Sequence, residues 1–192
     1  MRVAINTLIV SPTGGGGTRT FITNLVRHIS QVDRETNYHL LVSPINQHMF
    51  SGMADNFRVS ILPLRSNNRH LRVLFQQLLV PYYVRKYKVD VLLSPGNVAT
   101  LFPGCKQVLI VDGAQALRNT RRRYAPDSVS RARAAYFDLM LPLSFRRASA
   151  VITVSQFMKG EIVQGGVPQD KVAVIYEGID ATRFSTNGKE SG

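Results

Sequence analysis

The chain has 192 residues, with 24 Lys and Arg against 12 Asp and Glu, 44% hydrophobic residues and one cysteine. That length fits one domain, the apolar share fits a folded core rather than wholesale disorder, and Cys105 alone excludes a disulfide framework or a multi-cysteine zinc site. No apolar run approaches the roughly 18 residues needed to cross a bilayer, and the amino end reads as a strand without a cleavage signature, so cytoplasmic residence is expected.

The first apolar run, Arg2–Val10, predicts a strand that delivers the chain into Ser11-Pro12-Thr13 and then Gly14, Gly15, Gly16 and Gly17. Thr18–Ile29 follows as a helix, because Phe21, Ile22, Leu25, Val26 and Ile29 recur at helical spacing. Strands are predicted at Tyr38–Ser43 and Phe57–Leu62. Leu71–Lys88 is apolar around most of its circumference, interrupted by Pro81, and is expected to be a largely buried helix. Two more strands are predicted at Val89–Leu93 and Gln107–Val111. Asp127–Arg147 places Ala132, Ala135, Tyr136, Leu139 and Leu143 on one helical stripe, with Asp127 or Ser128 as N-cap and Pro142 expected to kink or split it. Strand Ala150–Val154, helix Ser155–Gln164 ended by Gly165-Gly166, and strand Val172–Tyr176 complete the pattern. Residues 185–192 are small and polar and read as a linker or tail.

Most of these strands are solidly apolar, as in Val108-Leu109-Ile110-Val111, which is how a parallel strand covered on both faces reads. Strands alternating with helices indicate a doubly wound α/β sheet of about seven mostly parallel strands, one domain over residues 1–184. In such sheets ligands bind beyond the carboxyl ends of the strands. Here those ends carry the glycine loop with Thr18 and Arg19, then Ser94-Pro95-Gly96-Asn97, Asp112-Gly113, Ser155-Gln156 and Glu177-Gly178. One shared polar cleft is expected.

Glycines let backbone N–H groups approach an anion, and a helix N-terminus adds partial positive charge, so a phosphate or diphosphate is the natural ligand of the loop; a ligand-free turn is the alternative. The run lacks the Gly-Lys-Ser/Thr of a P-loop, and Arg19 occupies the third-glycine place of the dinucleotide fingerprint, which argues against an NAD site. Asp112 either orients a hydroxyl and acts as a base or caps the turn behind it. Asn97 either meets a hydroxyl-rich ligand or stabilises its own turn. His28, His39, His48 and His70 make no metal spacing with one another, with Cys105 or with a carboxylate pair, so no metal site is expected.

The net charge of +12 is uneven: residues 65–147 carry fifteen basic and four acidic groups, while the segments before and after are close to neutral. Arg outnumbers Lys by 18 to 6, which suits bidentate phosphate contacts. A nucleic acid, an anionic membrane face, a phosphorylated ligand and a merely solvated basic face all fit such a segment. No zinc-finger spacing or aromatic RNA-binding signature accompanies it, so nucleic acid is the least expected partner.

The runs Ala148–Lys159 and Gly166–Phe184 resemble a recurrent stretch of the retaining GT-B glycosyltransferases of family 4, and the amino end with its glycine-rich loop is similar as well. The resemblance implies a Rossmann-like, acceptor-side amino domain that transfers sugar only together with a donor-binding carboxyl domain, and that is inactive alone. It implies no cofactor, with a nucleotide-sugar donor as co-substrate bound mainly by the other domain, and a sugar or lipid-linked acceptor. By the resemblance Asp112 matches the aspartate of the family's His-Asp after the fifth strand, while Val111 stands in the histidine position. Tyr176-Glu177-Gly178 stands where Pro-Asn-Gly is common. Residue by residue, Gly14, Gly15, Gly16 and Gly17 match the loop that approaches the donor diphosphate or acceptor. Thr18, Arg19, Asn97 and Ser155 are expected to join them. Arg118, Arg121, Arg122 and Arg123 are expected either to face a phosphorylated acceptor in the cleft or to belong to a surface that meets anionic lipid. A non-catalytic nucleotide- or polyanion-binding α/β module is the competing reading.

Overall fold

The computed structural model describes residues 1–13, 16–66, 68–124 and 130–178. Gly14, Gly15, Asp127, Ser128 and everything from Ile179 onward, including the 185–192 tail, lie outside the described residues. Seven strands form one sheet: β1 (Arg2–Asn6), β2 (Asn37–Val42), β3 (Phe57–Ile61), β4 (Val91–Pro95), β5 (Lys106–Val111), β6 (Ala150–Thr153) and β7 (Val172–Val174). Their order is β3-β2-β1-β4-β5-β6-β7, and every neighbouring pair runs parallel. Five helices accompany them: α1 (Gly16–Val32), α2 (Arg69–Lys86), α3 (Arg118–Tyr124), α4 (Arg131–Arg147) and α5 (Gln156–Gln164). The fold is thus α/β and Rossmann-like, with the sheet wholly rather than mostly parallel.

Alternation along the strands sorts the core into layers. Val3 and Ile5 of β1, with Leu40 and Val42 of β2, face α1 through Ile22 and Val26. Ala4, Leu41 and Leu92 face the other way, toward Val80 and Val84 of α2. Leu109, Val111 and Val151 continue that second layer under Phe137 and Leu141 of α4 and Met158 and Ile162 of α5. The chain winds outward from β1 to β3 and then crosses to β4, so the reversal falls between β1 and β4. A crevice opens at such a reversal because the connections leave the two strand ends in opposite directions.

Several local expectations change. β1 stops at Asn6, because the Asn6 side chain accepts from Leu8 N (3.2 Å) and turns the chain there. α1 begins at Gly16, so two of the four glycines belong to its first turn. Pro81 and Pro142 both lie inside continuous helices, and α4 is not split; each proline forgoes one helical hydrogen bond and α4 retains its turns on both sides. The N-cap of α4 is Ser130, whose Oγ accepts from Arg133 N, rather than Asp127 or Ser128.

The largest departure concerns burial. Of the apolar residues on α2, Leu71, Leu74, Leu78 and Tyr82 are exposed, so the helix is not largely buried. On α4 the buried stripe is Phe137, Leu141 and Ser144, whereas Leu139 (65% exposed) and Leu143 of the expected stripe face water. Among the described residues no helix is long and apolar enough to cross a membrane.

Candidate functional site

A cleft of about 710 Å³ lies over the reversal between β1 and β4, within the size range of small-molecule sites. Its floor comes from strand ends: Ile9 and Ser11 after β1, Gly96, Asn97 and Val98 after β4, and Asp112 and Gly113 after β5. One wall is the first turn of α1, with Gly17, Thr18 and Arg19. The facing wall comes from the first turns of α2 and α4, which return to the same end of the sheet and bring Arg72, Gln76, Arg133 and Tyr136. Gln115 and Glu177 complete the rim.

The floor is held by side chains whose hydrogen bonds are internal. Asn46 is fully buried; its Oδ1 accepts from Ser43 N (2.8 Å) and its Nδ2 donates to Thr7 O (2.8 Å) and Val10 O (3.0 Å). It therefore fixes the segment that carries the chain from β1 to the glycines. Asn97 adopts left-handed backbone, φ 76°, and its Oδ1 accepts from Gly113 N (3.0 Å). It fastens the β4 end to the β5 end. Gly96 beside it has φ 101°, backbone that favours glycine, and a Cβ there would displace the tip of the Ile9 side chain. Gln107, buried under the 94–100 turn, accepts from Ser94 Oγ and Thr100 N and donates to Thr100 O.

Across the reversal, Thr18 Oγ1 donates to Asp112 Oδ2 at 3.1 Å, joining the start of α1 to the end of β5. The other carboxylate oxygen, Oδ1, is buried and has no hydrogen-bond partner among the described residues. A buried carboxylate oxygen without a donor costs about 1–3 kcal/mol or more. Arg19 Nη1 donates to Pro12 O at 2.6 Å and so holds the segment before the glycines while lining the cleft. Nothing lies within 4 Å of where a Cβ would sit on Gly16 or Gly17. Glycine costs about 1 kcal/mol against alanine in a helix, and no packing inside the chain calls for it at these positions. Burial pushes the Tyr136 phenol above its ordinary value, an effect the nearby Arg72 cation partly offsets, so the group remains a neutral donor at physiological pH.

Of the residues expected from sequence, Gly17, Thr18, Arg19, Asn97 and Asp112 converge on this cleft, and Gly16 adjoins it in the first turn of α1. Gly14 and Gly15 lie outside the described residues. Ser155 does not line the cleft; its Oγ accepts from Met158 N and caps α5. Arg118 and Arg121 also lie outside the cleft wall. Arg121 is 4% exposed and ion-paired to Asp138 of α4, and it donates to Gln115 O and Ala116 O; Arg118 flanks the same carboxylate at 3.7 Å. Their role is to hold the turn that presents Gln115. Arg122 lies against Glu161 and Gln164 on another surface, and the Arg123 side chain is outside the described residues. Besides the expected Arg19, the cations that line the cleft are Arg72 and Arg133, which carry no local motif. Their only sequence signal is position near the start of a helix that returns to the strand carboxyl ends.

The sequence profile of glycosyltransferase family 4 matches residues 15–183. No curated protein matches the chain in sequence. Among solved structures, UDP-GlcNAc 2-epimerase from Methanocaldococcus jannaschii superposes with a TM-score of 0.56 at 15% identity, over 91% of this chain and 45% of that one. Anabaena HepE in complex with UDP gives 0.53 at 17% identity, over 97% and 47%. A UGT transferase from Siraitia grosvenorii in complex with UDP gives 0.57 at 11% identity, over 93% and 51%. The chain spans about half the length of these structures, and at such identities the likeness is one of fold. With the profile spanning nearly the whole chain and the half-length Rossmann-like fold agreeing with it, the chain belongs to glycosyltransferase family 4 as an amino-terminal-type domain.

Proposed function

We propose that this domain is the acceptor-side half of an enzyme that transfers a sugar from a nucleotide-sugar donor to an anionic acceptor, sugar or lipid-linked, with retention at the anomeric carbon. The observation that carries the reading is the Thr18–Asp112 bridge, with a buried Asp112 oxygen left to accept a hydrogen bond inside a cleft walled by Arg72 and Arg133. In this reading an acceptor hydroxyl donates to Asp112 Oδ1. The hydrogen bond from Thr18 fixes the orientation of the Asp112 carboxylate at the cleft floor. Gly17 and Thr18, in the first turn of α1, line the cleft where the helix dipole favours a phosphate, and the missing side chain of Gly17 leaves room for its close approach. The donor's nucleotide belongs to a second domain in this reading, in keeping with relatives twice as long and solved with UDP.

Two measurements test this. In the intact polypeptide that carries the domain, Asp112→Asn preserves the acceptor for Thr18 and is expected to lower sugar transfer about 100-fold or more; unchanged turnover refutes the role of Asp112. In the chain itself, Gly17→Val meets open space and should leave the melting temperature nearly unchanged while weakening pyrophosphate binding about tenfold or more. Equal binding by the variant removes the phosphate site.

A further inference from the structure

Two side-chain amides meet over one glycine on the cleft floor. Gly113 follows Asp112, and a Cβ built on it would lie 3.2 Å from Asn97 Nδ2 and 3.4 Å from Gln115 Nε2. Its φ is −107°, extended backbone that any residue adopts, so the conformation does not call for glycine. What glycine provides here is a gap between the two amides, and a side chain would crowd it. Asn97, Gly113 and Gln115 all line the cleft.

The Asn97 amide is oriented by its own hydrogen bond. Its Oδ1 accepts from Gly113 N at 3.0 Å, which leaves Nδ2 as the free, donating end. Among the described residues, neither Asn97 Nδ2 nor Gln115 Nε2 has a hydrogen-bond partner. The backbone of Gln115 is fastened from behind. Arg121, 4% exposed, donates through Nη1 to Gln115 O (3.2 Å) and Ala116 O (3.3 Å), and its other terminal nitrogen pairs with Asp138 of α4. Ala116 N donates to Gly113 O at 3.0 Å and closes the turn. An exposed glutamine that is merely solvated gains nothing from a buried cation at its carbonyl, whereas a recognition residue needs its starting point fixed.

The chemistry of the groups selects the ligand. The two amide nitrogens only donate, and Asp112 Oδ1, on the neighbouring residue, only accepts. A phosphate over Gly113 brings like charge to Asp112 and offers it no donor. A lone hydroxyl that donates to Asp112 leaves the amides unused. Two adjacent hydroxyls serve all three groups, one donating to Asp112 and the other accepting from the amides. We propose that Gln115, together with Asn97 Nδ2, is a specificity-determining residue that holds the hydroxyl next to the one facing Asp112. The cleft thereby selects a vicinal diol, as on a sugar ring or cyclic polyol, over an isolated alcohol. That this diol belongs to the acceptor rests on the proposed function; its binding does not.

Side-chain amide signals of the 15N-labelled chain test this, with the Gln115 pair assigned by its loss in Gln115→Met. The probes are the methyl α-glycosides of glucose, mannose and galactose, against tetrahydropyran-2-methanol, which keeps the ring and one hydroxyl but has no diol. At least one glycoside should bind saturably and move the Gln115 and Asn97 NH2 signals, and the lone alcohol should bind about tenfold more weakly or worse. Gln115→Met removes the donors at similar length and Gln115→Glu replaces them with an acceptor; each should weaken glycoside binding about tenfold with the melting temperature unchanged, since the side chain is exposed. Gly113→Ala should weaken it as much by filling the gap. The proposal is overturned if no glycoside binds, if binding leaves the Gln115 signals in place, if the lone alcohol binds equally well, or if the Gln115 variants bind like the natural chain. Pyrophosphate binding should survive in the Gln115 variants. If glycosides bind as expected while Asp112→Asn leaves sugar transfer by the intact polypeptide unchanged, the proposed function fails and the diol site stands. If Asp112→Asn abolishes transfer while Gln115→Met binds glycosides normally, the diol site fails alone.

Discussion

α1 and α2 cover opposite faces of the same central strands, yet they meet solvent differently. α1 turns Ile22 and Val26 inward, and its exposed positions after the first turn are Thr20, Arg27, His28, Gln31 and, at its last residue, Val32. α2 turns Val80 and Val84 inward and shows Leu71, Leu74, Leu78 and Tyr82 outward. Both sequences satisfy the inner contact equally well. The difference teaches that apolarity around a helix does not by itself report burial: both helices meet the sheet along one face, and α2 carries leucines on its exposed side.

The sharpest way to break the comparison is a pair of truncations measured by urea unfolding. Ile22→Ala empties a fully buried position on α1 and is expected to cost about 2–5 kcal/mol, whereas Leu78→Ala on the outer row of α2 should stay within about 0.5 kcal/mol. Equal losses would mean that the α2 row is covered in the folded chain. Next comes the strap on the α1 side. Asn46→Ala leaves Thr7 O, Val10 O and Ser43 N without their partner and should cost about 1–3 kcal/mol, with faster proteolysis ahead of α1. Gly96→Ala forces a Cβ into left-handed backbone beside Ile9 and should cost about 1–2 kcal/mol; a neutral result would show that the turn between β4 and β5 can relax.

The smallest effect is one of pH, on the α2 side. His39 of β2 is buried, with its ring stacked on Tyr87 just after α2. Burial first, and the cations Arg58 and Arg2 after it, hold its folded pKa below the ordinary 6.5. The unfolded chain therefore takes up the proton first, and stability declines as pH falls below 6.5. Replacing His39 with Phe should flatten the fall in melting temperature between pH 7.5 and 5; an unchanged slope assigns the effect to another group. Asp33 acts in a lower window, since the Thr36 N–H and the Tyr38 hydroxyl draw its carboxyl down from 3.8 to about 2, so its contribution is complete above 3.8 and lost as pH falls through 2.

Most of the strands were legible because a strand covered on both faces is apolar along its run, as in Val108-Leu109-Ile110-Val111; the edge strand β3, exposed at Arg58, Val59 and Ile61, showed through its β-branched residues instead. The cleft was legible for a related reason: strand ends are fixed by the sheet, so Thr18, Asn97 and Asp112 had to converge wherever the strands stopped. Arg121 was not legible as a buried residue. Its partner Asp138 lies on a separate helix, and nothing within a few residues of Arg121 neutralises it. Ser155 was expected in the cleft, but its hydroxyl caps α5 instead. Arg72 and Arg133 reach the cleft only through the return of α2 and α4 across the sheet, a long-range outcome with no local mark. The outer rows of α2 and α4 were misjudged because periodicity gives the apolar faces of a helix but not which of two faces the sheet will take.

The strand order has a consequence for how the molecule comes into being. β1 precedes all of its sheet partners in the chain and finishes at the centre of the sheet, with β2 on one side and β4 on the other. Its pairing with β2 needs residues up to Val42, but its other edge is met by Val91, Leu92 and Leu93. At about 5–20 residues per second of translation, that edge waits several seconds, with its N–H and C=O groups open to whatever strand arrives first. The half formed by β1, α1, β2 and β3 can assemble during the wait, and the β4 end closes it afterwards. Of the strands in that half, β1 precedes the others and is the last to have both of its neighbours, and the interval between those two events is the period in which a chaperone has something to hold.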